Sequence, residues 1–356
     1  MTMKIGWLVD GVVGGMSRLL HGVRGVEHDT SADLGPYLDR EADDLFPAPT
    51  RTPQAHRRSS YPTFSRVVES VTFASEHVPL CARYRLRHDR DYAVNHTVHL
   101  RWMHPRRAPR KRILLYVHGW LEPGPIIEET TLLPVLSREL DVDAAHIQLP
   151  FHGRRNPRGS LFHGEYFWSA DLVRSLEAVR QSVLDVRSAI RWFRAQGYED
   201  IGVSGISLGG SITMLLACVE PTPDWIVPII GHLDLGDAVE NAPILWRMKA
   251  DLERFGLDRA ARAEVFRRIG IGTFAPRLPR ERQLWVAAKD DMYVGARAVE
   301  RQWKAWGEPP ILWIPGGHMT FPVAVPSIVE RLRVFQSTLP MAPRAPLRER
   351  PATPVG

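Results

Sequence analysis

Apolar and polar positions alternate along this chain with two different periods, and the switches between them mark out the elements. RVVESVTF (66–73), LCARYRLR (80–87) and HTVHLRWM (96–103) carry near-alternating patterns that predict early strands, antiparallel at a sheet edge. RILLYVHG (112–119) and AAHIQLPFHG (144–153) are continuous apolar runs, as expected for strands covered on both faces. SLEAVRQSVLDVRSAIRWFRAQG (175–197) changes period: Val179, Val183, Val186, Ile190 and Phe193 share one helical face, and Gly197 is a stop. DIGVSG (200–205), WIVPIIG (225–231), LWVAAKD (284–290) and ILWIPGG (311–317) then read as strands with helical material between them, and 326–339 reads as a closing helix. Such alternation predicts a mostly parallel sheet with helices on both faces. In these sheets ligands gather beyond the carboxyl ends of the strands.

Three segments fall outside this pattern. The stretch 41–60 is polar and Pro-rich and reads as a linker or mobile loop, and the tail 341–356 as disordered. Residues 1–23 resemble a weak signal peptide, but Asp10 and the glycines interrupt the apolar run and no clean cleavage site follows. The segment is read instead as a helical extension that packs on its own domain, with a membrane surface or a partner as alternatives. The division expected is therefore an extension 1–60, partly helical or mobile, a main domain 61–340 and the tail.

Composition narrows the options. Of 356 residues, 44% are hydrophobic and 24% charged, ordinary for a globular chain able to shape a buried pocket. The net charge of +6 is almost all arginine. The densest basic run, HPRRAPRKR (104–112), lacks an aromatic platform, so a solvated loop is favoured over a nucleic-acid partner. No run of 18 apolar residues predicts a membrane span. Two distant cysteines, Cys81 and Cys218, make neither a disulfide framework nor a metal site, and a reduced, cytoplasmic setting is expected. No metal or cofactor motif stands out.

The chemistry-bearing residues sit just after predicted strand ends. GISLGG (205–210) places Ser207 between glycines at a strand-to-helix turn, where a side chain at Gly205 or Gly209 would clash with a neighbouring element. A serine hydroxyl is a weak nucleophile and needs a general base, an acid to orient it, and backbone N–H groups aimed at the oxyanion. KDDMYV (289–294) and GGH (316–318) follow the next strands. Their order after Ser207 nominates His318 as base and Asp291 as acid, with Asp290 as rival; the spacing from Asp291 to Val294 favours Asp291. Leu208 and Trp120, the latter in HGW (118–120), are the oxyanion-donor candidates through their backbone N–H groups, and His118 is better placed to hold its loop than to act as base.

With these motifs in this order over about residues 65–340, the chain resembles the alpha/beta-hydrolase superfamily. The resemblance implies an eight-stranded, mostly parallel sheet and a Ser207–Asp291–His318 triad. LPFHGRRNPRG (149–159) resembles a poorly characterised branch of single-domain hydrolases, in which His152 and Arg154 would line the mouth of the site; pairing of Arg154 and Arg155 with carboxylates elsewhere is the alternative. The stretch 232–275 falls where such proteins carry a small helical cap, with Leu233, Ile244, Leu245 and Trp246 as a pocket roof or as core. Serine rather than aspartate or cysteine at residue 207 points to a carboxylic ester hydrolase acting on a small-molecule ester. Acyltransferase, thioesterase and amidase chemistry, or a non-catalytic binding role, stay open as alternatives.

Overall fold

The computed structural model describes residues 6, 8–12, 15, 29–62, 66–219 and 223–339. The expectation of a disordered tail falls on residues outside that set, as does most of the reading of residues 1–28. A nine-stranded sheet runs in the order β1-β2-β3-β5-β4-β6-β7-β8-β9. Its strands are β1 His56–Pro62, β2 Arg66–Ala74, β3 Thr97–Pro105, β4 Arg112–Val117, β5 Asp143–Ile147, β6 Asp200–Ile206, β7 Trp225–Ile229, β8 Trp285–Ala288 and β9 Ile311–Ile314. β1 to β3 and the β3–β5 pair are antiparallel; every pairing from β5 through β4 to β9 is parallel. The central strands β4, β5, β6 and β7 are buried at nearly every position, which explains their unbroken apolar runs.

Three expectations are corrected. The sheet has nine strands rather than eight, because β1 lies partly within the stretch read as a linker. Residues 80–87 do not form a strand: Ala82–Asp91 is a helix. Tyr84 and His88 are its buried positions, with buried Cys81 at the N-cap, a three-and-four spacing masked by arginines at every second residue from 83 to 87. The third correction concerns 41–60. Leu45 and Phe46 are 0% and 1% exposed, and with Leu34 and Tyr37 they belong to the main core, so the boundary expected after residue 60 falls inside β1.

The helix Leu172–Ala195 shows what this N-terminal stretch does. It buries 21 of its 24 residues, far more than a helix with one face on a sheet. Residues 30–52 run along its outer side. Arg180 Nε donates to Leu45 O (2.8 Å), Arg187 Nη1 to Phe46 O (2.5 Å) and Arg191 Nη1 to Pro49 O (3.1 Å). Tyr37 hydrogen-bonds Glu177, whose carboxylate also pairs with Arg180 and lies 3.1 Å from His77 Nε2. Most of its charged positions thus find partners within the protein.

Between β7 and β8 the chain forms helices Leu235–Asn241, Trp246–Arg254 and Arg259–Ile269. Leu233 is core, and Leu245 packs against it. Both cysteines are buried and free. No helix among the described residues is long and apolar enough to cross a membrane.

Candidate active site

Ser207 stands between the end of β6 and the helix Leu208–Ala217, with φ 54° and ψ −115°. This is left-handed backbone that a non-glycine residue adopts at a cost of about 1–3 kcal/mol. The surroundings enforce it. Ser207 N donates to Ile229 O of β7 (2.8 Å), and Ser207 O accepts from Ser211 N (3.0 Å). Small residues are obligatory here: a Cβ on Gly205 would lie 2.3 Å from Gly209 O, and one on Gly209 would lie 2.0 Å from Val117 O and 2.6 Å from His118 O. The helix begins at Leu208, so its first N–H groups have no intrahelical partner and its positive dipole end faces the serine.

The ends of β8 and β9 bring up two further groups. The ladder between these strands continues past them, Lys289 N to Ile314 O (3.1 Å) and Asp290 N to Gly316 O (2.9 Å), so the loops that follow lie side by side. His318 Nε2 lies 2.9 Å from Ser207 Oγ, and His318 Nδ1 lies 2.8 Å from Asp291 Oδ2. The other carboxylate oxygen of Asp291 accepts from Tyr293 N (2.8 Å) and Val294 N (2.9 Å). The two ring nitrogens of His318 are taken by Asp291 and Ser207, while the backbone N–H of Asp290 is the strand-ladder donor.

Electrostatics follow from this chain of contacts. Burial raises the Asp291 carboxyl, but the charge and hydrogen bond of His318 and the two backbone donors outweigh it, leaving Asp291 below the usual carboxylate range. Burial likewise works against protonated His318, and the charge and hydrogen bond of Asp291, then the charge of Asp10, outweigh it and raise the imidazole above its ordinary 6.5. A hydroxyl bonded to an imidazole that is itself bonded to a carboxylate can lose its proton as it attacks an electrophile.

The loop after β4 abuts the serine: a Cβ on Gly119 would sit 3.8 Å from Ser207 Cβ. Trp120 follows directly, its indole N–H donating to Gly164 O (2.8 Å), and Leu121 turns the chain with φ 72°. His118 lies underneath and is fully buried. Its Nδ1 is 2.7 Å from Gly119 O, its Nε2 accepts from Leu149 N (3.0 Å), and its ring stacks on His146 at 5.3 Å. Burial lowers both imidazoles to about 4, so they stay neutral and structural.

His152 differs from its expected place. It is 0% exposed, packed edge-on against His118 at 4.8 Å, with Nδ1 2.8 Å from Pro150 O. It therefore supports the 118–120 loop from below rather than lining a mouth. Arg154 is exposed, and it lines a separate cavity of about 640 Å³ with Tyr61, His99 and Glu129. Arg155, by contrast, is buried and pairs with Asp185 (2.8 Å). Trp246 is half-buried at the start of its helix, and its indole N–H has no partner among the described residues.

One set of side chains near this loop has metal-ligand chemistry. Glu122, Glu128 and His146 present ligand atoms within 4.8 Å of one another, and His146 Nε2 lies 2.7 Å from Glu122 Oε1. Burial pushes both carboxyls up to about 7.

Two residues at the site escaped the sequence reading. Tyr293 packs its ring on His318 with centroids 5.0 Å apart. Asp10, read only as an interruption of an apolar run, is 0% exposed and accepts hydrogen bonds from the His318 loop. A lone acid inside an apolar stretch was the available signal, because a buried carboxylate needs donors from elsewhere in the chain.

The chain is similar to several known proteins. The family described as alpha/beta hydrolase domain containing 18 matches residues 95–235, which include the Trp120 loop and Ser207 but stop short of Asp291 and His318. An uncharacterized protein of Mycobacterium tuberculosis, matched in strains CDC 1551 / Oshkosh and H37Rv, is 32% identical over 195 residues. That match covers 52% of this chain, and the chain spans only 44% of the relative. Among solved structures, an acetyl xylan esterase from Paenibacillus sp. R4 superposes with TM-score 0.60 at 15% identity, covering 90% of this chain and 99% of its own. Acetyl xylan esterase 1 from Thermoanaerobacterium sp. JW/SL YS485 superposes with TM-score 0.54 at 14% identity, covering 88% and 98%.

Proposed function

We propose that the chain is an alpha/beta hydrolase, as its match to that family over residues 95–235 and its esterase-like fold support, and that it is a serine hydrolase cleaving carboxylic esters through an acyl-serine on Ser207. The observation that carries this reading is the continuous hydrogen-bond path from Ser207 Oγ through His318 to Asp291, both links under 3 Å.

In this mechanism Ser207 Oγ attacks the ester carbonyl carbon while its proton passes to His318 Nε2. Asp291, held by two backbone N–H groups, fixes the proton on Nδ1 and stabilises the imidazolium without taking a proton itself. The carbonyl oxygen becomes an oxyanion at the N-terminus of the helix Leu208–Ala217, where the N–H of Leu208 and that of Trp120 are the donors. One such donor is worth about 10²–10³ in rate. Collapse breaks the bond to the alkoxy leaving group, which departs as an alcohol with the proton from His318. Water then attacks the acyl-serine by the same route and releases the carboxylic acid. The strained φ of Ser207 holds the hydroxyl outside both helix and strand, where substrate reaches it.

The test is reaction with a fluorophosphonate probe, read by intact mass for wild type and Ser207→Ala, alongside hydrolysis of p-nitrophenyl esters from acetate to palmitate. One adduct on wild type, none on the variant, and turnover of at least one ester are expected. Folded wild-type protein that takes no adduct overturns the reading.

A further inference from the structure

Asp10 sits in a short helical stretch (8–12) far from the site in sequence, yet its side chain is fully buried against it. Its Oδ2 accepts from His318 N (2.8 Å) and from Met292 N (3.1 Å), and its Oδ1 accepts from Met319 N (2.9 Å). Its backbone carbonyl accepts from Tyr293 Oη (2.8 Å), the residue whose ring lies on the His318 imidazole. The packing around these bonds is close. A Cβ on Gly317 would lie 2.5 Å from Asp10 Oδ2, and one on Gly6 would lie 2.2 Å from Gly317 N.

The partners of this carboxylate fall on two loops. Met292 directly follows Asp291, while His318 and Met319 belong to the loop after β9. The 2.8 Å contact between His318 Nδ1 and Asp291 crosses between those loops. The backbone ladder links the two chains as far as Asp290 N to Gly316 O (2.9 Å), and the contacts of His318 with Asp291 and of Asp10 with both loops lie beyond it. We propose that Asp10 is a positioning residue for His318: its carboxylate ties the acid loop to the base loop and so sets the geometry of the Ser207–His318–Asp291 relay. Asp10 touches no reacting atom; it acts through the backbone of its partners. The inference rests on the serine-hydrolase reading of the same site.

Charge supplies a second, independent readout. The titratable groups facing the imidazole are Asp291 and Tyr293 from the β8 loop and Asp10 from the N-terminal stretch, while His232 from the β7 loop faces Asp291. Removing the Asp10 charge removes one influence that favours protonated His318, so the imidazole titrates lower. A role confined to folding would leave that titration where it is.

The experiment compares wild type with Asp10→Asn, Gly6→Ala and Gly11→Ala in the full chain. Asp10→Asn keeps the shape but turns one acceptor into a donor facing N–H groups. Gly6→Ala drives a methyl group into the Gly316–Gly317 backbone. Gly11 has open space around its Cβ position and serves as control on the same helical stretch. A displacement of about 1 Å in a relay costs on the order of 10²-fold in rate. Asp10→Asn and Gly6→Ala are expected to lower kcat about 10- to 100-fold with KM nearly unchanged, and Gly11→Ala to match wild type. In Asp10→Asn the His318 imidazole, followed by NMR, should titrate at lower pH than in wild type. Wild-type kcat and an unchanged His318 titration in folded Asp10→Asn overturn the proposal. Loss of folding in both Asp10→Asn and Gly6→Ala overturns it as well, in favour of a purely structural role. If wild type neither hydrolyses esters nor takes the fluorophosphonate, the hydrolase reading fails by itself, and the NMR titration still decides whether Asp10 acts on His318.

Discussion

Gly209→Ala tests whether the oxyanion site depends on how closely the elbow approaches the end of β4. The added methyl carbon would lie 2.0 Å from Val117 O and 2.6 Å from His118 O. A carbon–oxygen contact needs more than 3 Å, so about 1 Å of relative displacement is unavoidable. Neither oxygen belongs to a flexible side chain: both are backbone, and one is in a central strand paired on both sides. The residues that move with them are Gly119 and Trp120, or else the start of the helix that carries Leu208. Either way one oxyanion donor leaves its place relative to Ser207. A misplacement of that size costs on the order of 10²-fold, equivalent to about 2.7 kcal/mol of transition-state stabilisation. Overpacking lowers stability by about 1–3 kcal/mol, which for a domain of this size is roughly 2–10 °C in Tm. The assay is steady-state hydrolysis of p-nitrophenyl acetate at a temperature well below the variant's Tm, with circular dichroism to establish the folded fraction. The loss should appear mainly in kcat. A folded Gly209→Ala protein with wild-type kcat refutes the reasoning, because it would mean that the donor geometry is set without this approach.

Asp291→Asn should lower kcat by about 10⁴, since an amide cannot hold the required His318 tautomer, whereas Asp290→Asn should stay near wild type; equal losses in the two variants would reassign the acid. For wild type, the raised His318 pKa places the acidic limb of kcat/KM above pH 6.5: the neutral base is lost as pH falls through the folded-state value, and a limb centred below 6.5 would contradict the geometry. Arg155→Met leaves Asp185 buried without its cation and should cost about 3–5 kcal/mol in urea unfolding; a loss under 1 kcal/mol would show that Ser75, which donates to the same carboxylate at 2.6 Å, suffices.

Legibility in the sequence followed the source of order. β4 to β9 and the helix Leu172–Ala195 announce themselves because burial imposes apolar composition and period directly. The Ser207 turn was readable for a similar reason: glycines at 205 and 209 record backbone contacts that forbid side chains. Elements ordered by hydrogen bonds to distant partners were not. Residues 41–60 look like a linker because their carbonyls are satisfied by Arg180, Arg187 and Arg191, about 140 residues downstream, and local composition carries no trace of that. The helix Ala82–Asp91 was hidden by arginines whose alternation mimicked a strand. His152 was placed at a mouth by motif resemblance, while its actual contacts, His118 and Pro150, make it a buried prop. Asp10 is the extreme case, legible only as an anomaly.

The separation between Asp10 and its partners also sets an order of events during synthesis. The bonds to Met292, His318 and Met319 span 282, 308 and 309 residues. At a translation rate of about 5–20 residues per second, the N-terminal stretch waits roughly 15–60 s before the backbone it docks on exists. β4, β6 and the Ser207 turn can form during that interval. The contacts around His318 cannot close before a loop of some 300 residues has been made, and loop-closure entropy rises only slowly at such lengths. Competence for chemistry therefore waits on residues synthesised some 300 positions after Asp10.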